Sequence, residues 1–470
     1  MTTLRYGLLA VLFAAPVLAQ PVDSDVRIRI LNRESPAEVR IEATDGPVRI
    51  VLDGVESGAL QTGESMTLTR IGADVRARFG GADVSARSLR LDGAEFRLRA
   101  GRIDRVYPGD LSARIAGGQM ELVNHAPLEP YVASVVQAEF GFASPEGAKA
   151  QAILARTYAL RRVGSHATYD LDDDTSAQVY KGSGVTRDVS LRAALDTQGE
   201  VLMYRGELAD AYYFSSSGGH TADNDLVWDG DPVPYLRGVP DPYDSAAPDH
   251  SWRTSASRTA VLDALSRQYG GRVEGIEILR RSRSGRVLDI ELIGGSRRIT
   301  GVQFRNAVNA VAGARTVRST RFDVSVEGDQ YVFRGSGYGH GVGMSQYGAL
   351  GQARAGRTYR EILAYYFVGT EVRTSNGGLV APVLVASHAP PQAGTRAAAV
   401  PREPSALRTR YHPATARRWP TPRHIAREAD VRAERPATFP PPSGSTVMPT
   451  PAPTPDTPAA GRTSARRTAW

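Results

Sequence analysis

Glu139 stands where one apolar, helix-spaced stretch ends, and Gln151 and Arg156 stand inside the next. A carboxyl group facing a guanidinium and an amide can act as a general acid, with the two polar groups clamping the substrate. An ordinary exposed residue at a helix end is the other reading, and this stretch alone leaves both open. Two further sets of residues invite chemistry. Ser215, Ser216 and Ser217 run into Gly218, Gly219 and His220 at the end of an apolar strand pattern. Such a strand end lets a polymer approach backbone N–H groups, or is a simple turn. No GxSxG surrounds these serines, which argues against a nucleophile elbow. Gly337, Gly339, Gly341 and Gly343 fall at every second position around His340, followed by Ser345, Gln346 and Tyr347. That spacing is unsuited to ordinary strand packing and favours close backbone approach. Trp228 reads as a stacking platform for sugar rings or as a core residue. Asp172, Asp173 and Asp174 read as a solvated acidic turn, since consecutive carboxylates cannot all face one metal ion.

The elements that must position these residues follow from periodicity. Tyr131, Val132, Val135 and Val136 make an apolar helical face, and Gly141 ends it. Ser144-Pro145-Glu146 opens a second helix with an N-cap, a first-turn proline and an acid. Ala148, Ala152, Ala155 and Ala159 form a small-residue stripe along it. Upstream, residues 25–115 alternate apolar and polar side chains in short runs broken by Gly and Asp, the pattern of a hairpin-built β domain. Downstream, helical patterns at 189–198, 260–269, 304–311 and 360–367 mix with short strands, which predicts an α+β fold. The expected layout is a signal peptide over 1–19, a β-rich module over 20–104, a catalytic α+β domain over 105–375 and a disordered tail over 376–470.

Bulk composition narrows the function. A basic residue, an apolar run and a small-residue site at the N-terminus predict secretion across the cytoplasmic membrane into the periplasm or cell envelope, with no transmembrane span in the mature chain. The 470 residues include no Cys, which excludes thiol catalysis, disulfides and cysteine-ligated zinc. No pair of the 8 His residues has HExxH spacing. The net charge of +7 belongs to the segment after Val385, where 13 Arg face 5 acidic residues. The remainder offers no electrostatic footprint for nucleic acid. That last segment also holds 16 of the 30 prolines, too little apolar surface to fold.

Three blocks, in order, resemble the SpoIID/LytB family of bacterial cell-wall proteins. They are LEPYVASVVQAE with KAQAILARTYAL, YYFSSSGGHTADNDLVW, and GSGYGHGVGMSQYGALGQARAGRTYREILAYYFVGTEV. The resemblance implies a lytic transglycosylase acting on peptidoglycan glycan strands stripped of stem peptides. Glu139 would be its single general acid/base. Arg156, Gln151 and Tyr158 would bind the glycan near it, and Ser216, Ser217, His340, Ser345, Gln346 and Tyr347 would line the groove. A non-catalytic, glycan-binding amidase enhancer is the alternative, with cell-wall amidases as partners. Burial against Phe140 and Phe142 would have to raise the Glu139 pKa. The chain departs from the family pattern in two places. Glu139 is followed by Phe140-Gly141 where members often have Met-Pro, and His220 has no Cys companion where some members bind zinc, so no metal and no cofactor are expected.

Overall fold

The computed structural model describes residues 25–374, apart from Asp229 and Ser296. The expected signal peptide and the Pro/Arg-rich tail lie outside the described residues.

Twelve strands fill the first hundred of these residues: β1 (Val26–Ile30), β2 (Glu38–Ala43), β3 (Val48–Leu52), β4 (Val55–Leu60), β5 (Ser65–Ile71), β6 (Asp74–Phe79), β7 (Ala82–Ala86), β8 (Ser88–Asp92), β9 (Glu95–Ala100), β10 (Ile103–Pro108), β11 (Asp110–Ala116) and β12 (Gln119–Ala126). The alternation read from sequence becomes one buried and one solvated face. In β9, Phe96, Leu98 and Ala100 are buried while Glu95, Arg97 and Arg99 point outward. Outward Arg residues pair across strands, as in Arg99–Glu42 at 2.9 Å.

A short strand, β13 (Leu171–Asp172), runs parallel to β1 and completes a seven-stranded sheet ordered β13-β1-β12-β11-β8-β3-β4. The other sheet is ordered β10-β9-β2-β5-β6-β7. Ile28, Ile50, Leu111 and Leu122 of the first sheet share a core with Ile41, Leu68 and Leu98 of the second. The boundary expected between residues 104 and 105 falls inside β10, and β11 and β12, assigned to the second domain, are interior strands of the first sheet. Local alternation reads the strands correctly but not their partners, which are set by long-range pairing.

The acidic turn also differs from expectation. Asp172 pairs with Arg29 at 2.7 Å and Asp174 with Arg33. Asp173 is buried, accepting from the Leu31 N–H at 3.1 Å and from Arg105 at 3.4 Å. Asp172 and Asp174 thus neutralise arginines of the β1 region and Asp173 meets Arg105 of β10, rather than all three facing water.

Seven α-helices follow among the described residues: α1 (Leu128–Glu139), α2 (Pro145–Leu160), α3 (Asp188–Asp196), α4 (Arg258–Tyr269), α5 (Gly301–Ala312), α6 (Gln346–Arg354) and α7 (Tyr359–Tyr366). Strand β12 feeds α1 through Pro127. Gly141, at φ +58°, turns the chain out of α1 and its N–H returns to the Val136 carbonyl at 3.1 Å. Helix α2 begins on Pro145 as expected, although the Ser144 side chain makes no capping bond. From Gly147 to Ala159 almost every α2 residue is buried, because α1, α3, α6 and α7 all pack against it. The alanine stripe permits that crowding.

Residues 252–335 build a second core. Strand Trp252–Ser257 pairs with Gln330–Gly335, which pairs with Phe322–Glu327, while Gly275–Arg281, Val287–Ile293 and Arg297–Thr300 form another sheet. Leu265 of α4 and Phe304 of α5 bury against Trp252, Ile290, Phe322 and Phe333. Most strand pairing is antiparallel, as an α+β fold requires.

Candidate functional site

Glu139 ends α1, where the helix leaves its carboxyl half-buried instead of exposed. The Val179 N–H donates to Oε1 at 2.8 Å. Burial raises the Glu139 pKa above the usual carboxylate value, against the opposing pull of the Val179 N–H, the Gln346 amide and the Lys181 ammonium. Gln346 faces the carboxyl, yet its Nε2 forms no close hydrogen bond. No second carboxylate among the described residues acts on Glu139.

Three tyrosines lie within its electrostatic reach: Tyr131, Tyr158 and Tyr213. Gln178 ties two of them together, accepting from the Tyr131 hydroxyl at 2.9 Å and donating to that of Tyr213 at 3.0 Å. Arg162 covers the Tyr158 ring at 3.3 Å. Phe140 and Phe142 meet edge to face at 4.8 Å, and Tyr347 packs on Phe142 at 4.9 Å. Tyr158, expected near the acid, and Gln346, expected in the groove, both come close to Glu139, while Tyr347, also expected in the groove, packs on Phe142.

The others make their contacts within the protein. Arg156 is wholly buried; its Nε and Nη2 grip Glu129 at 2.9 and 2.5 Å, and Nη1 donates to the Glu200 carbonyl at 2.9 Å. An Arg that reads as a clamp from sequence is here the counter-charge of a buried acid, which a helical pattern cannot reveal. Gln151 is wholly buried in α2 with both amide atoms unpaired. His340 donates from Nε2 to the Tyr213 carbonyl at 2.9 Å and accepts the Val342 N–H on Nδ1 at 3.1 Å, a neutral tautomer; burial lowers its pKa to about 4. Trp228 packs against His340 and Tyr212.

Ser216, Ser217 and Ser345 are buried around Asp244, which sequence reasoning missed. Asp244 accepts from the Ser216 hydroxyl (2.8 Å), the Ser217 N–H (3.1 Å), the Gly218 N–H (2.9 Å), the Ser345 hydroxyl (2.9 Å) and His250 Nδ1 (3.2 Å). Ser345 also caps α6 by accepting the Gly348 N–H at 3.1 Å. The three serines thus join two loops instead of lining a groove. Asp241, also missed, is buried nearby; burial, and then the Asp244 charge, push its pKa up to about 7. Neither aspartate sits in a recognisable motif, and the prolines beside Asp241 read only as a loop. His220 turns Nδ1 to the Thr221 carbonyl, and no group of three metal-ligating side chains occurs among the described residues.

This site lies in a region with known relatives. The SpoIID family profile, described as stage II sporulation protein, matches residues 116–204, which contain α1, the break and α2. Stage II sporulation protein D of Bacillus subtilis is 30% identical over 287 residues, covering 55% of this chain and 77% of that protein. The chain belongs to the SpoIID/LytB family. An uncharacterized Brachyspira hyodysenteriae protein is 32% identical over 271 residues, 57% of this chain and 72% of its own. The Bacillus subtilis amidase enhancer is 30% identical over 274 residues, but only 38% of its length is covered. Residues 242–343, which contain the second core of this SpoIID/LytB protein, match DUF8618, a domain of unknown function.

Proposed function

We propose that the chain is a lytic transglycosylase of peptidoglycan glycan strands, with Glu139 as its single acid/base. The supporting observation is a lone half-buried carboxyl whose pKa is raised by desolvation, with no second carboxylate acting on it. Hydrolytic glycosidases need two carboxyl groups, one to protonate the leaving oxygen and one to serve as base or nucleophile. A transglycosylase needs one. Because the Val179 N–H occupies Oε1, the transferable proton resides on Oε2. That proton passes to the glycosidic oxygen as its bond to C1 breaks. The resulting carboxylate then takes the proton of the same sugar's C6 hydroxyl, O6 closes on C1, and a 1,6-anhydro-muramoyl end forms without water. Tyr131, Tyr158 and Tyr213 keep the surroundings of the acid low in polarity. Stem-peptide-free strands in the periplasm or envelope are the substrate in this reading.

Binding of glycan strands without cleavage, in support of a cell-wall amidase, is a second reading, favoured by the likeness to the amidase enhancer. Digestion of purified glycan strands with and without stem peptides, analysed by mass spectrometry, separates the two. Anhydro-muramoyl ends from the wild-type protein, reduced by about 10²-fold or more in Glu139→Gln, support catalysis. Strand binding with no fragments from either protein replaces it with the binding role.

A further inference from the structure

We infer that the contact between the glycine-rich 337–343 loop and the second core is a binding site for a small inorganic anion, organised by Arg286. Arg286 stands at the entrance to strand Val287–Ile293 and is only 2% exposed, yet Nε, Nη1 and Nη2 all lack a hydrogen-bond acceptor in the protein. A guanidinium carries five donors and remains charged at neutral pH. Here burial lowers its pKa only to about 9, so the charge persists at pH 7. Burying an unpaired charge is far costlier than burying a paired one.

The surroundings deepen the imbalance. Arg305 and Arg321 both act on Arg286 as like charges, and Asp244 is the carboxylate opposing them. Asp244 is already engaged by two hydroxyls, two backbone N–H groups and His250. Arg305 donates to the Val317 carbonyl at 3.0 Å and Arg321 to the Gly218 carbonyl at 2.5 Å, neither of which supplies negative charge. His340, the other titratable group facing this region, is held neutral. Two further guanidinium groups thus act on Arg286, and the one carboxylate that opposes them is occupied. The loop is shaped to this arrangement: a Cβ on Gly341, at φ +92°, would stand 2.3 Å from Arg286 Nη2. Only a glycine admits the guanidinium flat against the backbone there. An anion of halide or small oxyanion size supplies the missing acceptors and counter-charge, and joins the two cores.

Thermal unfolding of the full chain, followed at constant ionic strength as chloride, bromide or phosphate replaces a bulky organic anion, tests this. Site binding raises the wild-type Tm saturably, as ligand linkage requires. In Arg286→Met, which keeps the bulk and removes the charge, the saturable rise disappears while any general salt effect remains. Equal anion dependence in both proteins overturns the inference. If the variant fails to fold, anomalous scattering from wild-type crystals in bromide decides the matter. A bromide peak within hydrogen-bond distance of the Arg286 guanidinium upholds the site, and the absence of a peak there refutes it.

Discussion

A carboxyl group held above its ordinary pKa makes two commitments at Glu139, one to rate and one to stability. As a general acid it works while protonated, so activity persists at low pH and falls as pH climbs through the raised folded-state pKa. A pH–rate profile that is flat from about pH 4 to 8 contradicts that role. The stability sign follows from the same direction of shift. A folded pKa above the unfolded one contributes stability below the unfolded value, which is lost as pH rises through the folded value. Glu139→Gln is therefore expected to be more stable than wild type near pH 7.5 and about equal near pH 4, measured by urea unfolding at the two pH values. Arg156 makes the opposite case. Arg156→Met leaves Glu129 buried without its partner, and a loss of about 3–5 kcal/mol is expected in the same assay. If that variant unfolds like wild type but binds glycan poorly, the structural role assigned to Arg156 is wrong.

Helix α6 connects the acid to the scaffold. Its N-cap, Ser345, is held by Asp244, and its first residue, Gln346, faces Glu139. Gly348, in its first turn, allows close packing on Asp241 and Tyr366: a Cβ there would lie 2.4 Å from Asp241 Oδ2 and 2.0 Å from the Tyr366 hydroxyl. Gly348→Ala must push α6 away from α7, at a cost of about 1–3 kcal/mol in chemical unfolding. Because Gln346 moves with the helix, product formation should fall even where the variant remains folded. The alternating glycines of the 337–343 loop read correctly from sequence as a site of close approach. What approaches is the protein itself, for Gly337 meets Ser216 and Ser217, and Gly341 meets Arg286.

The two β sheets and α1 form one connected body, since β11 and β12 lie inside the first sheet and lead straight into the helix that bears Glu139. A chain beginning at residue 105 loses the neighbours of β11 and β12, so it should lack the cooperative thermal transition of the longer protein by circular dichroism. A sharp transition from residues 105–374 alone would restore the boundary read from composition. Much was legible in the sequence. Periodicity two marked the strands, periodicity 3.6 with Gly141 and Pro145 marked the α1–α2 break, and the same residues placed Glu139 at a helix end. Those signals are local, carried by side chains a few positions apart. The partners of polar residues are not local. Glu129 and Arg156 are 27 positions apart, and Asp244 and Ser345 are 101 apart. Nothing in a short window distinguishes an Arg that clamps substrate from one that neutralises a buried acid. The sequence by itself determined most of the helices and strands, though not α6, and where the acid stands. Only tertiary packing decided which charges are buried, because burial and pairing depend on what the rest of the chain brings against each side chain.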